Sequence, residues 1–254
     1  MGRFESWDGI EIVYEEWGRG DSSPPVLLHH GFIADAASNW VATGVVEALR
    51  ESGRRVVAPD ARGHGRSEKP HDPARYGEDL MARDLSALVG EIGAEEIDLV
   101  GYSMGAIVAL LFASADDRVR RLVIGGVGSG VMECGGVDRR SVSNEAVIAA
   151  LEAEDPTRIE DAGALPFRLL ADALGSDRVA MAAQARSVYR GGVELGRISA
   201  PTLVLAGEDD PLAIRPEALA EAIPEATLRM VEGDHIGALG DPAFKPAIVD
   251  FLAA

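Results

Sequence analysis

The serine at position 103 stands inside an apolar, uncharged stretch and is flanked by glycines in the sequence GYSMG (residues 101–105). An apolar segment, residues 97–100, precedes this sequence directly, and a helix-forming run, residues 106–112, follows it. A strand, a sharp turn and a helix in this order form a nucleophile elbow, in which the serine hydroxyl projects from a strained turn. The glycines fit this interpretation, because side chains beside the turn would collide with neighbouring elements. We therefore predict that Ser103 is a nucleophile.

A serine hydroxyl is a poor nucleophile at neutral pH, so it needs a base, and the base needs an acid that orients it. Of the five histidines, His235 comes just after the predicted strand 227–231, which places it at the carboxyl end of that strand. Ligands bind at that edge of doubly wound sheets. The acid is expected between the serine and the histidine in the chain. The segment GEDDP, which follows another apolar run, offers three candidates: Glu208, Asp209 and Asp210.

The elements around these residues alternate between apolar strands and helix-like segments. Two short segments, 3–6 and 10–17, flank an Asp-Gly turn and predict an antiparallel hairpin. Further on, the pattern predicts strands near residues 26–30, 56–59, 97–102 and 122–126, with helices near residues 40–51, 76–92 and 104–115. Continuous apolar strands that alternate with helices are typical of a parallel sheet covered on both faces. We predict an α/β fold with a mostly parallel, twisted sheet of about eight strands.

This rhythm changes after residue 128, because the next seventy or so residues contain no convincing strand pattern. Helical spacing of apolar residues predicts helices near residues 144–154, 166–174 and 176–189, with N-caps at Ser143 or Asn144 and at Ser176. Strands return near residues 201–206 and 227–231, and helices near residues 216–223 and 244–252. We therefore predict one core, residues 1–128 and 197–254, and a helical cap inserted at residues 129–196.

Composition restricts the classes of protein that this chain can belong to. The 254 residues are 47% hydrophobic, and the single cysteine, Cys134, cannot form an internal disulfide. The N-terminus lacks an apolar signal core, and the longest uncharged run, residues 99–115, is short for a membrane span. A formal net charge of -18 should repel nucleic acids. We expect a cytoplasmic protein that binds neither nucleic acid nor membranes.

No cofactor or metal is expected from the motifs of the chain. No Cys/His cluster has metal-ligand spacing. The glycine-rich segment GGVGSG, residues 125–130, matches neither the dinucleotide fingerprint nor the phosphate-binding loop of nucleotide hydrolases. We interpret it as the exit from a strand.

Five motifs, in the same order, resemble those of the α/β-hydrolase fold superfamily over essentially the whole chain. HHGF (29–32) resembles its His-Gly oxyanion turn, and DARGHGRSEKP (60–70) resembles its D-x-R-G-x-G-x-S segment. GYSMG resembles the elbow, GEDDP (207–211) the G-x-x-D acid turn, and GDH (233–235) the histidine loop. The style of the motifs is similar to that of small bacterial serine esterases and cofactor-free, haloperoxidase-like perhydrolases. Ala106 departs from many relatives, which carry another glycine there.

This resemblance implies a role for each candidate residue. It carries the acid onto Asp210, with Asp209 as the alternative, and it carries the base onto His235. The oxyanion hole would consist of two backbone N–H groups, that of Met104 after the nucleophile and that of Phe32 in the loop after the third strand. The resemblance also implies that no cofactor or metal takes part.

Other polar residues near these motifs are expected to be structural. We expect His30 to brace the oxyanion loop by hydrogen bonds, and Arg62 and His64 to brace the loop that carries them. Tyr102, beside the serine, is expected to pack in the core. Asp234 adjoins His235, but neighbours in a sequence usually point apart, so it is not expected to orient the base.

The expected function is a serine hydrolase that cleaves a small ester or lactone, with the cap as the roof of the substrate pocket. The expected partner is therefore a small acyl substrate. Two other chemistries fit the same residues, namely peracid formation by a perhydrolase and carbon–carbon bond hydrolysis. A ligand-binding sensor with slow turnover is the alternative from another class. The resemblance disfavours epoxide hydrolases and haloalkane dehalogenases, because those relatives carry an aspartate where this chain has Ser103.

Overall fold

The computed structural model describes residues 1–19, 23–138 and 140–254, and its central feature is one eight-stranded sheet. The strands are β1 (Gly2–Glu5), β2 (Glu11–Trp17), β3 (Val26–His29), β4 (Val56–Pro59), β5 (Ile97–Tyr102), β6 (Val119–Gly125), β7 (Thr202–Gly207) and β8 (Ala226–Val231). Their order in the sheet is β1-β2-β4-β3-β5-β6-β7-β8. Strands β3 to β8 pair in parallel, whereas β2 is antiparallel to both of its neighbours, β1 and β4. The predicted sheet is confirmed.

Helices connect the parallel strands and cover both faces of the sheet. The α-helices are α1 (Val45–Glu51), α2 (Glu78–Glu91), α3 (Met104–Ala113), α4 (Gly130–Glu133), α5 (Asn144–Glu152), α6 (Leu165–Leu174), α7 (Arg178–Arg186), α8 (Pro216–Ala222) and α9 (Phe244–Ala253). Short 3-10 turns occur at Pro73–Arg75, Pro156–Arg158, Leu195–Arg197 and Gly237–Gly240. Within the described residues, none of the helices has the length and apolar character needed to cross a membrane.

Two details of the predicted helices are wrong. The helix expected near residues 40–51 is divided into a π-helical turn, Ala37–Val41, and α1, because Gly44 has a φ of 78° and interrupts the helical backbone. The N-cap of α7 is Asp177 rather than Ser176, and its carboxylate accepts hydrogen bonds from two backbone N–H groups. An ionised carboxylate at the N-cap can accept hydrogen bonds from two backbone N–H groups that have no partner within the helix. A single serine hydroxyl is a weaker acceptor for both. Ser143 caps α5 as predicted.

Two apolar cores lie on the two faces of the sheet. Leu27 and Leu99 belong to the core that α2 and α3 cover, whereas Leu28 and Val100 belong to the core that α1 and α9 cover. This division follows from strand geometry, because successive side chains of a strand point to opposite faces. Burial on both faces explains why β3, β5 and β7 are buried along their whole length.

In its described residues, the chain between β6 and β7 forms helices joined by turns and loops, and it contains no strand. Helix α5 packs against α6 and α7. This helical unit is attached to the rest of the molecule by side-chain contacts, including a hydrogen bond of 2.5 Å from Ser187 Oγ to the carbonyl of Pro73. His71 and Asp177 also approach each other to 2.9 Å across the same boundary. The division into a core and a cap at residues 129–196 stays a prediction.

Candidate active site

The elbow between β5 and α3 has the strained backbone that its sequence predicts. Ser103 has a φ of 54° and a ψ of -116°, a conformation that L-residues rarely adopt. A Cβ atom on Gly101 would lie 2.2 Å from the carbonyl oxygen of Gly105, and one on Gly105 would lie 2.0 Å from that of His29. Both glycines are therefore required by close backbone contacts. The turn leaves the serine hydroxyl at the carboxyl edge of the sheet.

A carboxylate and an imidazole form a hydrogen-bonded pair at the same edge. The Nδ1 atom of His235 lies 2.8 Å from Oδ2 of Asp210, whose side chain is completely buried. The other carboxylate oxygen, Oδ1, accepts a hydrogen bond of 2.8 Å from the backbone N–H of Leu212. The aspartate is thus fixed at both oxygens, and it can hold the imidazole with its Nε2 atom directed away from the acid.

The other acidic residues near the pair do not contact the imidazole. Glu208 and Asp209 are both exposed to solvent. Asp234 accepts hydrogen bonds from the backbone N–H groups of Ile236 and Gly237, so its carboxylate stabilises the turn after the histidine. Among the acids that the sequence offered, the geometry therefore favours Asp210.

The imidazole of His235 lies close to the backbone that supports the serine. The backbone N–H of Ser103 donates to the carbonyl of Gly125 at 2.8 Å, and a Cβ atom on the next residue, Gly126, would lie 2.9 Å from Cε1 of His235. Within the described residues, no hydrogen bond joins the Ser103 hydroxyl to His235. Such contacts are commonly long in proteins without substrate and shorten when the substrate binds.

Two backbone N–H groups are free to bind an oxyanion beside the serine. The oxyanion turn lies against the elbow, since a Cβ atom on Gly31 would be 3.5 Å from Cβ of Ser103. Asn39 holds this turn by accepting a hydrogen bond of 2.9 Å from the N–H of Gly31. Neither the N–H of Phe32 nor that of Met104 donates to an acceptor among the described residues. These two N–H groups remain the candidate donors for an oxyanion at Ser103.

Two buried histidines brace the oxyanion loop: His30, as predicted, and also His64, which was expected to brace only the loop that carries it. His30 accepts a hydrogen bond of 2.9 Å from the N–H of Ala61 at Nε2, so its proton is on Nδ1, which donates to the carbonyl of Gly31. His64 accepts a hydrogen bond of 3.2 Å from the N–H of Ile33 at Nε2. Ile33 has a φ of 71°, a strained value for a β-branched residue. These bonds hold the loop in a conformation that it would not adopt alone.

Arg62 has the structural role expected of it. Its guanidinium is fully buried and forms ion pairs with Asp84 and Asp8. Although burial lowers the pKa of Arg62, the hydrogen bonds to these two carboxylates raise the pKa above its ordinary value. The charge is thus permanent and paired, and its role is to hold the loop 60–70 against the N-terminal hairpin.

The three histidines behind the oxyanion loop are neutral at physiological pH. Burial, together with the neighbouring imidazole of His30, lowers the pKa of His29 to about 3. Burial also lowers the pKa of His30 and of His64, the latter to well below its ordinary value. The oxyanion loop therefore rests on uncharged imidazoles that can accept backbone hydrogen bonds.

We predict that mild acid destabilises the protein through these histidines. The unfolded chain binds protons on them near pH 6.5, whereas the folded protein does not, so their contribution is complete above pH 6.5 and is lost as the pH falls toward 3. His29 alone should lower the free energy of unfolding by about 2 kcal/mol between pH 7 and pH 5. Urea unfolding at both pH values measures this change, and equal free energies would contradict it. His71→Gln, which replaces a half-exposed histidine, should leave the difference in place.

Two side chains from the helical insertion contact the candidate oxyanion residues, which the sequence did not reveal. The ring of Phe167, in α6, lies 6.4 Å from that of Phe32. The buried amide of Gln184, in α7, contacts the sulfur of Met104. Neither residue belongs to a recognisable sequence motif. The spacing of apolar residues predicted the helices on which they lie, but not these contacts. The insertion therefore covers the elbow. Among the described residues, no three His, Cys, Asp or Glu side chains are grouped so that they could hold a metal ion.

Comparison with known proteins relates this arrangement to a large family. A family model described as alpha/beta hydrolase fold matches residues 24–139. A 2-hydroxy-6-oxononadienedioate/2-hydroxy-6-oxononatrienedioate hydrolase of Paraburkholderia xenovorans is 31% identical over 228 residues, which cover 82% of this chain and 78% of that enzyme. A non-heme haloperoxidase of Rhodococcus erythropolis is 27% identical, and the alignment covers 89% of each protein.

Other similarities are either shorter or mainly structural. An sn-1-specific diacylglycerol lipase of Danio rerio is 37% identical over 117 residues, but this alignment covers 45% of the present chain and only 35% of the lipase. The crystal structure of a hydrolase from Pseudomonas aeruginosa superposes with a TM-score of 0.81 and 25% identity, over 100% of this chain and 98% of that one.

Proposed function

The chain belongs to the alpha/beta hydrolase fold family, and on this premise we propose that it is a serine hydrolase that cleaves a small ester or lactone through an acyl-serine intermediate. The observation that carries the proposal is the hydrogen bond between the buried Asp210 carboxylate and the partly buried His235 imidazole, beside an elbow serine. Each part has a role in acyl transfer, and the roles are mutually consistent in chain order and placement.

The first half of the proposed reaction forms the acyl-enzyme. The Ser103 hydroxyl oxygen attacks the ester carbonyl carbon while Nε2 of His235 takes the hydroxyl proton. Asp210, which accepts a hydrogen bond from Nδ1, stabilises the imidazolium that forms. The N–H groups of Phe32 and Met104 bind the oxyanion, and such donors typically contribute about 3–4 kcal/mol each. The imidazolium then gives its proton to the departing alcohol as the tetrahedral intermediate collapses.

The second half releases the acid by the same groups in reverse order. Water gives a proton to Nε2 of His235 and attacks the acyl carbon, and the new oxyanion occupies the same two N–H groups. Collapse of this intermediate returns the proton to the oxygen of Ser103. The carboxylic acid leaves, and every group regains its initial protonation state. We propose that the helices between β6 and β7 form the roof of the pocket and set the acyl group that fits.

The first experiment is turnover of p-nitrophenyl esters from acetate to octanoate, together with labelling by a fluorophosphonate. We expect turnover to fall with acyl chain length, because α6 and α7 close over the elbow. The label should be located by peptide mass spectrometry on Ser103. The proposal would be overturned if the protein neither hydrolysed these esters above the uncatalysed rate nor reacted with the fluorophosphonate. In that case a ligand-binding role would account for the site better.

A second candidate function is carbon–carbon bond hydrolysis on the same residues. It is favoured by the 31% identity to a 2-hydroxy-6-oxononadienedioate hydrolase over most of both chains. The similarity to a haloperoxidase raises a third chemistry, in which hydrogen peroxide replaces water as the acyl acceptor. A 2-hydroxy-6-oxo dienoate, and an ester supplied with peroxide, are therefore assayed beside the p-nitrophenyl esters. The highest kcat/KM among the three decides which reaction the pocket favours.

A further inference from the structure

The tyrosine beside the elbow serine makes a long-range hydrogen bond to the histidine loop. The Tyr102 hydroxyl donates to the backbone carbonyl of His235 at 2.5 Å, across 133 positions of the chain. Tyr102 itself is the last residue of β5 and is 3% exposed. The strand that presents the nucleophile is thereby connected to the loop that presents the base. Sequence reasoning assigned this tyrosine to core packing alone.

The ring of Tyr102 adds a packing contact to this hydrogen bond. Its centroid lies 5.3 Å from that of the His235 ring and 6.0 Å from that of Phe244, the first residue of α9. The room for these rings comes from the glycines that end β6. A Cβ atom on Gly125 would lie 2.8 Å from the Tyr102 ring, and one on Gly126 would lie 2.9 Å from both the tyrosine and the histidine.

The other hydrogen bonds of the histidine loop do not connect it to β5. The carboxylate of Asp234 accepts from Ile236 and Gly237, which shapes the loop internally. Asp210 fixes the imidazole side chain, but it belongs to the loop after β7. Within residues 1–19, 23–138 and 140–254, the Tyr102 hydroxyl alone provides a hydrogen bond between β5 and the histidine loop.

The tyrosine is a permanent donor in this contact. Burial raises the pKa of the Tyr102 phenol, and the carboxylates of Asp210 and Asp234 raise it further. The hydroxyl therefore stays protonated over the whole range in which an ester hydrolase is assayed. The contact does not weaken when the base changes its protonation state during turnover.

We propose that Tyr102 is a positioning residue, which sets the distance between the nucleophile and the base by fixing the backbone of His235 relative to β5. This inference rests on the proposed function, because it assigns His235 the role of the base. Asp210 orients the imidazole ring of His235, whereas Tyr102 sets the distance of the His235 backbone from β5. Misplacement of a reacting group by an ångström or less lowers the rate of a chemical step without a matching loss of substrate binding.

The test is Tyr102→Phe, which removes one oxygen and keeps the ring, with p-nitrophenyl acetate as substrate. We expect kcat to fall about tenfold while KM changes little, because one buried hydrogen bond is lost outside the substrate pocket. The rate of fluorophosphonate labelling of Ser103 should fall by a similar factor. Tyr102→Leu, which also removes the ring contact with His235, should lower kcat further.

The matched control is Tyr76→Phe. The Tyr76 hydroxyl donates to the carbonyl of Pro70 at 2.6 Å, and the residue is buried to the same degree as Tyr102, but it lies away from the histidine loop. Both Phe variants should lower the melting temperature by similar amounts, whereas only Tyr102→Phe should lower kcat. A kcat of Tyr102→Phe within about twofold of that of Tyr76→Phe would overturn the positioning role.

A spectroscopic readout separates this inference from the proposed function. The Nδ1 proton shared by His235 and Asp210 should give a downfield proton resonance in the wild type, independent of any substrate. In Tyr102→Phe this resonance should broaden or disappear through exchange with water, and in Tyr76→Phe it should persist. If the wild type hydrolyses no ester, the proposed function fails while this comparison still tests Tyr102. An unchanged resonance in Tyr102→Phe would overturn the inference in either case.

Discussion

Ser103→Ala should abolish nearly all esterase activity, with kcat reduced by about 10⁴- to 10⁶-fold. The substitution removes the only atom that forms the covalent bond in the proposed reaction. It leaves the elbow backbone, the two oxyanion N–H groups and the Asp210–His235 pair in place, so KM should change little. Residual hydrolysis would come from water attack assisted by the oxyanion hole. Initial rates with p-nitrophenyl acetate, corrected for the uncatalysed reaction, measure the loss.

Two further variants show whether the loss is specific. Ser114→Ala changes the serine at the other end of α3, whose hydroxyl donates to the carbonyl of Leu111, and it should leave kcat within about twofold. The double variant Ser103→Ala/His235→Ala should be hardly slower than Ser103→Ala alone, because groups that act as a unit lose their effect together. A Ser103→Ala protein that retains wild-type kcat would exclude an acyl-serine mechanism.

Asp210→Asn should lower kcat by about 10³- to 10⁴-fold without unfolding the protein. The carboxylate holds the Nδ1 proton of His235, which leaves Nε2 free to accept the serine proton. An asparagine amide is nearly isosteric, but its NH₂ group facing Nδ1 would favour the opposite tautomer, with the proton on Nε2. That tautomer cannot act as the base. The variant is assayed over a range of pH and its fold is checked by circular dichroism.

The adjacent residue provides the matched control for this prediction. Asp209→Asn makes the same chemical change one position away, on an exposed side chain that makes no contact with the imidazole. Its kcat should stay within about twofold of the wild-type value. A large loss in Asp209→Asn with none in Asp210→Asn would contradict the assignment of the acid, since it would require the pair to rearrange in solution.

Much of the fold follows from local pattern. The alternation of strand and helix patterns predicted all eight strands to within a few residues. The signal was strongest for β3, β4, β5 and β7, which are buried along their whole length, whereas the N-terminal hairpin was predicted from its Asp-Gly turn. The boundary errors arose where a single backbone angle or a competing cap decided the outcome, at Gly44 and at Asp177. Such choices depend on small energy differences that a pattern of apolar residues does not contain.

The elbow was also a local property. GYSMG between an apolar strand and a helix-forming run specifies a strained turn, since only glycine fits beside the backbone at residues 101 and 105. The chain order of serine, acid and histidine, each after an apolar segment, then placed the three candidates at one edge of the sheet, because the carboxyl ends of parallel strands meet there. The sequence thus determined the edge of the sheet at which these candidate residues lie.

The tertiary structure decided which atoms meet. Three successive acids follow β7, and only the path of the loop buries Asp210 and turns its carboxylate to His235. The tautomer of His30 depends on the N–H of Ala61, which lies 31 positions away. The bond from Tyr102 to His235 forms only because the end of β5 and the histidine loop approach to within a hydrogen-bond length. A sequence pattern records residue type and spacing, whereas these contacts depend on the relative positions of distant segments to a fraction of an ångström, and only packing of the whole chain fixes those positions.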